Sequence, residues 1–308
     1  MAQRNTLLTI AFGLSIVLAT SDSAFASSRP CPADAKLATL LAASDTVLIG
    51  KMDVPEKRLR EEALKPLPEY LDIPIDVESI VKGASPTSEP VRFYPKDAPY
   101  QPSNSTMLDF AGKPAILFLT RANSDPVRFY FAGYTPDALK LADDRTVSAI
   151  HAEVARQEKI LASWRTNDKL PHFAEVGALI ARLGQVSDDR QQRVFDQLEA
   201  LGETAVPAII AQMDDRRPLR TQAISLKNHA LDAFEGKRHY GPNQVVDGLA
   251  AVLNQITGLS FGSIANGGTK DQRDAAIRGW RVFAADLDCK KRFSIAPTGS
   301  SRLSLLGS

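Results

Sequence analysis

Hydrophobic positions change their spacing once along this chain, just after Asp143-Asp144. Before that point they fall in short runs rich in β-branched and aromatic residues. A helix at Ala35–Ala43 (AKLATLLAA) leads into Asp45–Lys51, a strand closed by Gly50. Ile73, Ile75 and Val77 alternate with polar neighbours, so Ile73–Val81 reads as a half-buried strand that Lys82-Gly83 ends. Val91–Tyr94, Ala115–Leu119 and Val127–Phe131 are further strands, divided by Pro, Gly, Ser and Asn clusters. Five short strands at this spacing predict a small barrel or sandwich.

After the change the period is helical. Val147, Ile150, Val154 and Leu161 make one stripe, with Glu153 and Lys159 off it, which predicts a helix over 145–163 packed on the barrel. The polar stretch Trp164–His172 holds Pro171 and reads as a linker. Helices follow at Phe173–Leu183, ended by Gly184, and from Ser187, with the stripe Val194, Leu198 and Leu201 ended by Gly202. Another opens at Thr204–Ile210, with Pro207 in its first turn. Val246, Leu249, Leu253 and Ile256 stop at Gly258, and Thr269-Lys270-Asp271-Gln272 has the capping-box form before Ile277, Trp280 and Phe283. Short helices that cannot bury their own faces imply a stacked array. The expected fold is therefore α+β in two domains: a small β-barrel with flanking helices over 31–163, a linker at 164–172, an all-α domain over 173–288, and a flexible tail at 289–308.

The first segment changes the setting. Arg4 precedes the apolar run Leu7–Ala19, polar Thr20–Ser23 follow, and Ala24-Phe25-Ala26 places small residues where a signal peptidase needs them. Residues 1–26 are expected to be a cleaved signal peptide, with a mature start at Ser27. The run would reach about 20 Å as a helix, against about 30 Å of hydrocarbon, so it is too short for a span. No later stretch is apolar enough to cross a bilayer. The protein is expected to be exported, to the periplasm or the medium.

Composition is ordinary, with 44 % hydrophobic and 24 % charged residues. Removing Arg4 and Asp22 leaves the net charge at +1, which gives no pull toward nucleic acid. Cys31 and Cys289 are the only cysteines, and an oxidising compartment favours a bridge between them.

Two stretches resemble known families. Residues 31–160, through the early Cys31, the strand Asp45–Lys51, Ile80-Val81-Lys82-Gly83 and Gly112–Leu119, resemble the netrin-like modules typified by tissue inhibitors of metalloproteinases. That resemblance implies an OB-like barrel. Such inhibitors chelate a protease metal through a Cys at the mature N-terminus, whereas Cys31 lies internal to Ser27 and the dense disulfides are missing. Residues 173–284 resemble HEAT-like helical repeats, in Leu198–Gly202 followed by Ala205–Ile210, and the closing part of exported bacterial repeat proteins, in Asn254–Gly258, Phe261-Gly262 and Arg278–Arg281. This implies a docking scaffold.

The chain carries no catalytic or metal motif. His151, His172, His229 and His239 are scattered without metal-ligand spacing, and the chain has no GxSxG elbow and no P-loop. The paired acids Asp143-Asp144, Asp188-Asp189 and Asp214-Asp215 sit at helix ends, where capping accounts for them. Catalytic residues, a metal and a cofactor are not expected. The candidate binding residues are His239, Tyr240, Asn254, Phe261 and Asn266, around His239–Asn243 and the loop Gly258–Gly268, where Gly and Asn with two aromatics could frame a groove. In the competing reading Phe261 fills the core and Asn243 caps the helix from Gln244. The expected function is a non-catalytic exported binding or scaffold protein with a protein or peptide partner. An inhibitor or accessory factor of an extracellular enzyme, acting through barrel loops, is second. A hydrolase built on His239 and Tyr240 is third.

Overall fold

Pro74 divides the run expected as one strand, because it has no N–H to give a ladder. Two strands result, β2 (Leu71–Ile73) and β3 (Ile75–Lys82), and they lie at opposite ends of one sheet. The other strands are β1 (Thr46–Met52), β4 (Val91–Phe93), β5 (Ala115–Arg121), β6 (Phe129–Phe131) and β7 (Leu139–Leu141). The order is β2-β4-β6-β5-β1-β3, with β7 paired to β5 off that path. First and last strands are joined by one residue, so the sheet curls until its ends meet at Pro74, giving a half-barrel. Of its neighbouring pairs among the described residues only β4 with β6 is parallel. Along β1 and β3 the register slips twice, from Val47↔Lys82 to Leu48↔Ile80 and from Ile49↔Ser79 to Gly50↔Val77. Each slip leaves an extra residue on β3 and increases its bend.

The computed structural model describes residues 31–60, 69–84, 89–95, 100–122, 127–229 and 235–293. The expected signal peptide at 1–26 and residues 294–308 of the expected tail lie outside them. The inner face of the sheet is buried at its centre by Leu48, Ile73, Phe93 and Leu117. Helix α1 (Ala35–Ala43) closes one mouth, inserting Leu37, Leu40 and Leu41. It begins at Asp34, whose carboxylate accepts the N–H groups of Lys36 and Leu37. Two short helices, α2 (Glu56–Arg60) and α3 (Asn104–Asp109), lie on the connections.

Helices α4 (Asp144–Ala162), α5 (Phe173–Arg182), α6 (Asp188–Ala200), α7 (Val206–Ala211), α8 (Val245–Thr257) and α9 (Lys270–Phe293) follow. They surround a second core that includes Phe195, Leu249, Phe261 and Trp280. This half is mixed rather than all-α, since β8 (Ile224–Lys227) and β9 (Lys237–Tyr240) pair as a hairpin within it. Ile224 and Leu226 point into the helical core while Ser225 and Lys227 point away, a period of two that a helix could not offer. Helix α9 also continues to Phe293, past the expected start of the tail.

Glu153 departs from its expected place off the buried stripe of α4. It is buried, and Arg156 explains why: the guanidinium takes Glu153 at 2.7–2.8 Å on one side and Asp286 of α9 at 2.8 Å on the other. Gln157, also buried, donates to the Ala38 carbonyl of α1. Helix α4 is thus covered on two faces and needs polar side chains that pair. A second buried pair joins α8 to α9. Arg273 forks onto Asp247 at 2.7 and 2.8 Å, and the same carboxylate accepts the N–H groups of Asn243 and Gln244. The cap of α8 is therefore Gln244 with Asp247, and Asn243 lies one residue before it.

Helix α1 belongs to both cores, with Leu37 and Leu41 in the barrel and Ala42 and Ala43 among the helices. It runs antiparallel to α9. Cys31 is bonded to Cys289 at one end of the pair, with Cα atoms 5.7 Å apart, and Ala42 lies against Gly279 at the other. Among the described residues no helix is long and apolar enough to cross a membrane.

Candidate functional site

At the Ala42 end of the α1–α9 pair the two cores part, leaving a cavity of about 220 Å³. Five segments line it: the end of α1, the start of β1, the end of β3, α4 and α9. Most of its wall is aliphatic, from Ala42, Val154, Leu161, Ala275 and Val282. Its charged groups are Asp45, Lys82, Glu158 and Arg278.

Local structure fixes Lys82 at the rim. Gly83 follows it with φ +79°, and a Cβ there would stand 2.0 Å from the Asp45 carbonyl oxygen, so only glycine lets β3 turn so close to β1. The Lys82 ammonium donates to the Leu41 carbonyl, one of the orphan acceptors at the C-terminus of α1. Burial pushes its pKa down to about 8; Asp45 opposes that shift and the Arg278 charge adds to it. Asp45 is held in turn by Thr120 Oγ1 at 2.9 Å and the Arg121 N–H at 2.8 Å. Arg278 and Glu158 are both exposed, and neither has an ion-pair partner among the described residues.

The residues expected to bind do not converge on one groove. His239 faces solvent on β9, its Nδ1 2.8 Å from Ser225 Oγ across the hairpin. Tyr240 lies on the other face, where burial raises its pKa and its hydroxyl accepts from Gln255. Asn254, its amide nitrogen turned to the carbonyls of Ala250 and Leu259 at 2.9 Å, closes the last turn of α8. Phe261 is 2 % exposed and packs on Trp280 and Phe283, with ring centroids 4.7 and 5.8 Å away. Asn266 accepts the Gly241 N–H at 2.8 Å. That bond does bring the two expected loops together, but it commits their polar groups to each other.

Two hydroxyl–imidazole pairs resemble parts of a nucleophile relay. Ser225 with His239 is a cross-strand pair on an exposed hairpin, and among the described residues no carboxylate bonds the second nitrogen of His239. His172 sits in the left-handed region at φ 61°, with Nδ1 2.9 Å from Glu175 and Nε2 3.2 Å from Thr204 Oγ1. Thr204 Oγ1 also lies 3.3 Å from the Leu201 carbonyl, and this exposed chain ties α5 to the turn before α7. Among the described residues no three His, Cys, Asp or Glu side chains gather as a metal requires.

Sequence reasoning passed over the cavity residues. Lys82 served as the end of a strand and as part of one resemblance, and Arg278 only as part of the other. Their one local signal is a Lys closing the apolar run Ile80-Val81, which marks a cation drawn toward a core. No family model, curated protein or solved structure gives a significant match to this chain, so its function is argued from this geometry.

Proposed function

We propose that this chain is an exported, non-catalytic binding protein that takes a small ligand in the cavity between its sheet and its helices. The observation that carries this is the lining: an aliphatic pocket with a few convergent charged groups, brought from segments far apart in sequence, is the usual composition of a ligand site. Export draws on the residue pattern of 1–26 and on the bridge between Cys31 and Cys289. An OB-like reading of the sheet is supported by its order. With β2 and β3 counted as one bent strand, five strands run first, second, third, fifth, fourth around the curl, and the third and fifth are parallel. The short helices α5 and α6, each followed closely by a left-handed glycine, support the HEAT-like reading of the helical half.

Thermal shifts of the purified chain against a mixed library of acidic, neutral and basic small molecules test the proposal. Ala275→Phe, which fills the cavity from α9, is the control. At least one compound should raise the melting temperature of the native chain, leave Ala275→Phe unmoved and be recovered unchanged. Compounds that shift both proteins equally would place binding elsewhere and overturn the assignment.

An accessory factor or inhibitor acting through the barrel is the second reading, favoured by one feature of the outer face. Tyr70 is 43 % exposed and lies under the Arg92 guanidinium, 3.6 Å from its carbon, and Arg92 is itself forked onto Asp72. Rigid Tyr–Arg pairs of this kind anchor protein interfaces. Under this reading Tyr70→Ala abolishes inhibition of a partner enzyme, while Ala275→Phe leaves it intact.

A further inference from the structure

Four charges surround the cavity, and their bonding is unequal. Asp45 is satisfied by a hydroxyl and a backbone N–H. Glu158 stands at the solvent edge on α4. The two cations are less satisfied. Lys82 has three donors and gives one to Leu41, and Arg278 has five donors with no ion pair among the described residues. The repulsion between them is felt at Lys82, so whatever stands between them with negative charge relieves both. Apart from Ser44, Gln157 and two glycines the rest of the wall is aliphatic, around a volume of about 220 Å³. Asp45 and Glu158 weigh against a second negative charge on the occupant.

Resting on the ligand-cavity reading, we propose that the cavity recognises a short aliphatic monocarboxylate, its carboxylate held between Lys82 and Arg278 and its chain lying on Val154, Leu161, Ala275 and Val282. Arg278 supplies the forked geometry that suits a carboxylate, and Lys82 supplies a point charge. Binding is linked to protons. The free Lys82 amine is largely neutral at pH 9, and the bound carboxylate draws a proton onto it, so affinity falls as pH rises above about 8. The other charged groups that line the cavity with that amine are Asp45, just before β1, Glu158 from α4 and Arg278 from α9.

Isothermal titration of the purified chain with hexanoate, 1-hexanol and hexyl phosphate tests this. Hexanoate should bind at least about tenfold more tightly than 1-hexanol, and Arg278→Gln, an exposed position that keeps the fold, should lose at least about tenfold. At pH 9 binding should take up a proton, read from the dependence of heat on buffer ionisation, and Lys82→Met should abolish that uptake. Equal binding of 1-hexanol and hexanoate, both lost in Ala275→Phe, overturns the carboxylate while leaving the cavity as a ligand site. Tighter binding of hexyl phosphate overturns the single charge. Hexanoate binding that Arg278→Gln does not weaken, or no hexanoate binding at millimolar concentration, overturns the inference as a whole. The cavity reading falls separately, if library compounds shift native chain and Ala275→Phe alike.

Discussion

Lys82 shows how one residue can serve the fold and carry a cost at once. Its hydrogen bond completes the end of α1, but its ammonium is drawn out of water, and the pKa falls from 10.5 in an unfolded chain to about 8. Between those values the unfolded chain holds more protons than the native one, so stability rises with pH across that window. The cost of the buried charge is complete below pH 8 and is relieved as pH climbs toward 10.5, by at most about 1.4 kcal/mol per unit. Urea denaturation of the native chain and Lys82→Met at pH 7.5, 8.5 and 9.5 should show the native chain gaining on the variant at each step. Tyr94, held up to about 12, is common to both proteins and cancels in the difference. A difference that stays constant with pH would mean that Lys82 is not held in a drying environment. Asp247 is the opposite case, a buried carboxylate fully paired by Arg273 and two backbone N–H groups. Removing either partner of such a pair costs about 3–5 kcal/mol.

At the scale of elements, helix packing turns on where a glycine sits. A Cβ on Gly279 of α9 would stand 2.7 Å from the Ala42 carbonyl oxygen and 2.7 Å from Phe261 Cβ, so α1 and α9 approach as closely as they do only through that notch. Gly279→Ala should destabilise by about 1–3 kcal/mol, because a backbone carbonyl cannot step aside. Gly177 in α5 meets only the far end of Gln212 at 3.6 Å, and Gly177→Ala should stabilise by up to about 1 kcal/mol through helix propensity. Chemical denaturation of the two variants side by side checks both signs, and two shifts of the same sign would refute the notch. Features like these separate what could be read in the sequence from what could not. Asp143 before α4, the reciprocal bonds of Thr269 and Gln272 before α9, and the left-handed Gly258 after α8 were legible, because each depends on a few adjacent residues. The hairpin of β8 and β9 and the three-residue β7 were not, because pairing with distant strands rather than local pattern holds them in place. Glu153 was misplaced for a related reason: its partner Asp286 is a distant acid sharing one arginine, and no periodicity reports that. The cavity is the extreme case, since Lys82 and Arg278 meet only after both halves have folded.

For the whole molecule, one covalent bond and one helix pair hold the two cores in a fixed relation. Helix α1 contributes to both cores, α9 lies antiparallel to it, and the bond between Cys31 and Cys289 closes their far end across a separation of 258 residues. In the chain-entropy account a loop of that length restricts the unfolded state by about 5 kcal/mol, and native bridges deliver about 2–5. The consequence reaches the cavity, because its walls at Ala42 and Gly279 belong to the same two helices that the bridge secures. We therefore expect reductant to lower the thermal midpoint of the native chain to that of the Cys31→Ser/Cys289→Ser variant, and to leave the variant itself unmoved. Hexanoate affinity should fall with it, since the helices that carry Ala42 and Arg278 then lose their covalent tie. A native chain whose melting ignores reductant would show that packing of α1 on α9 alone sets the geometry of the cavity, and that the bridge serves only its own end of the pair.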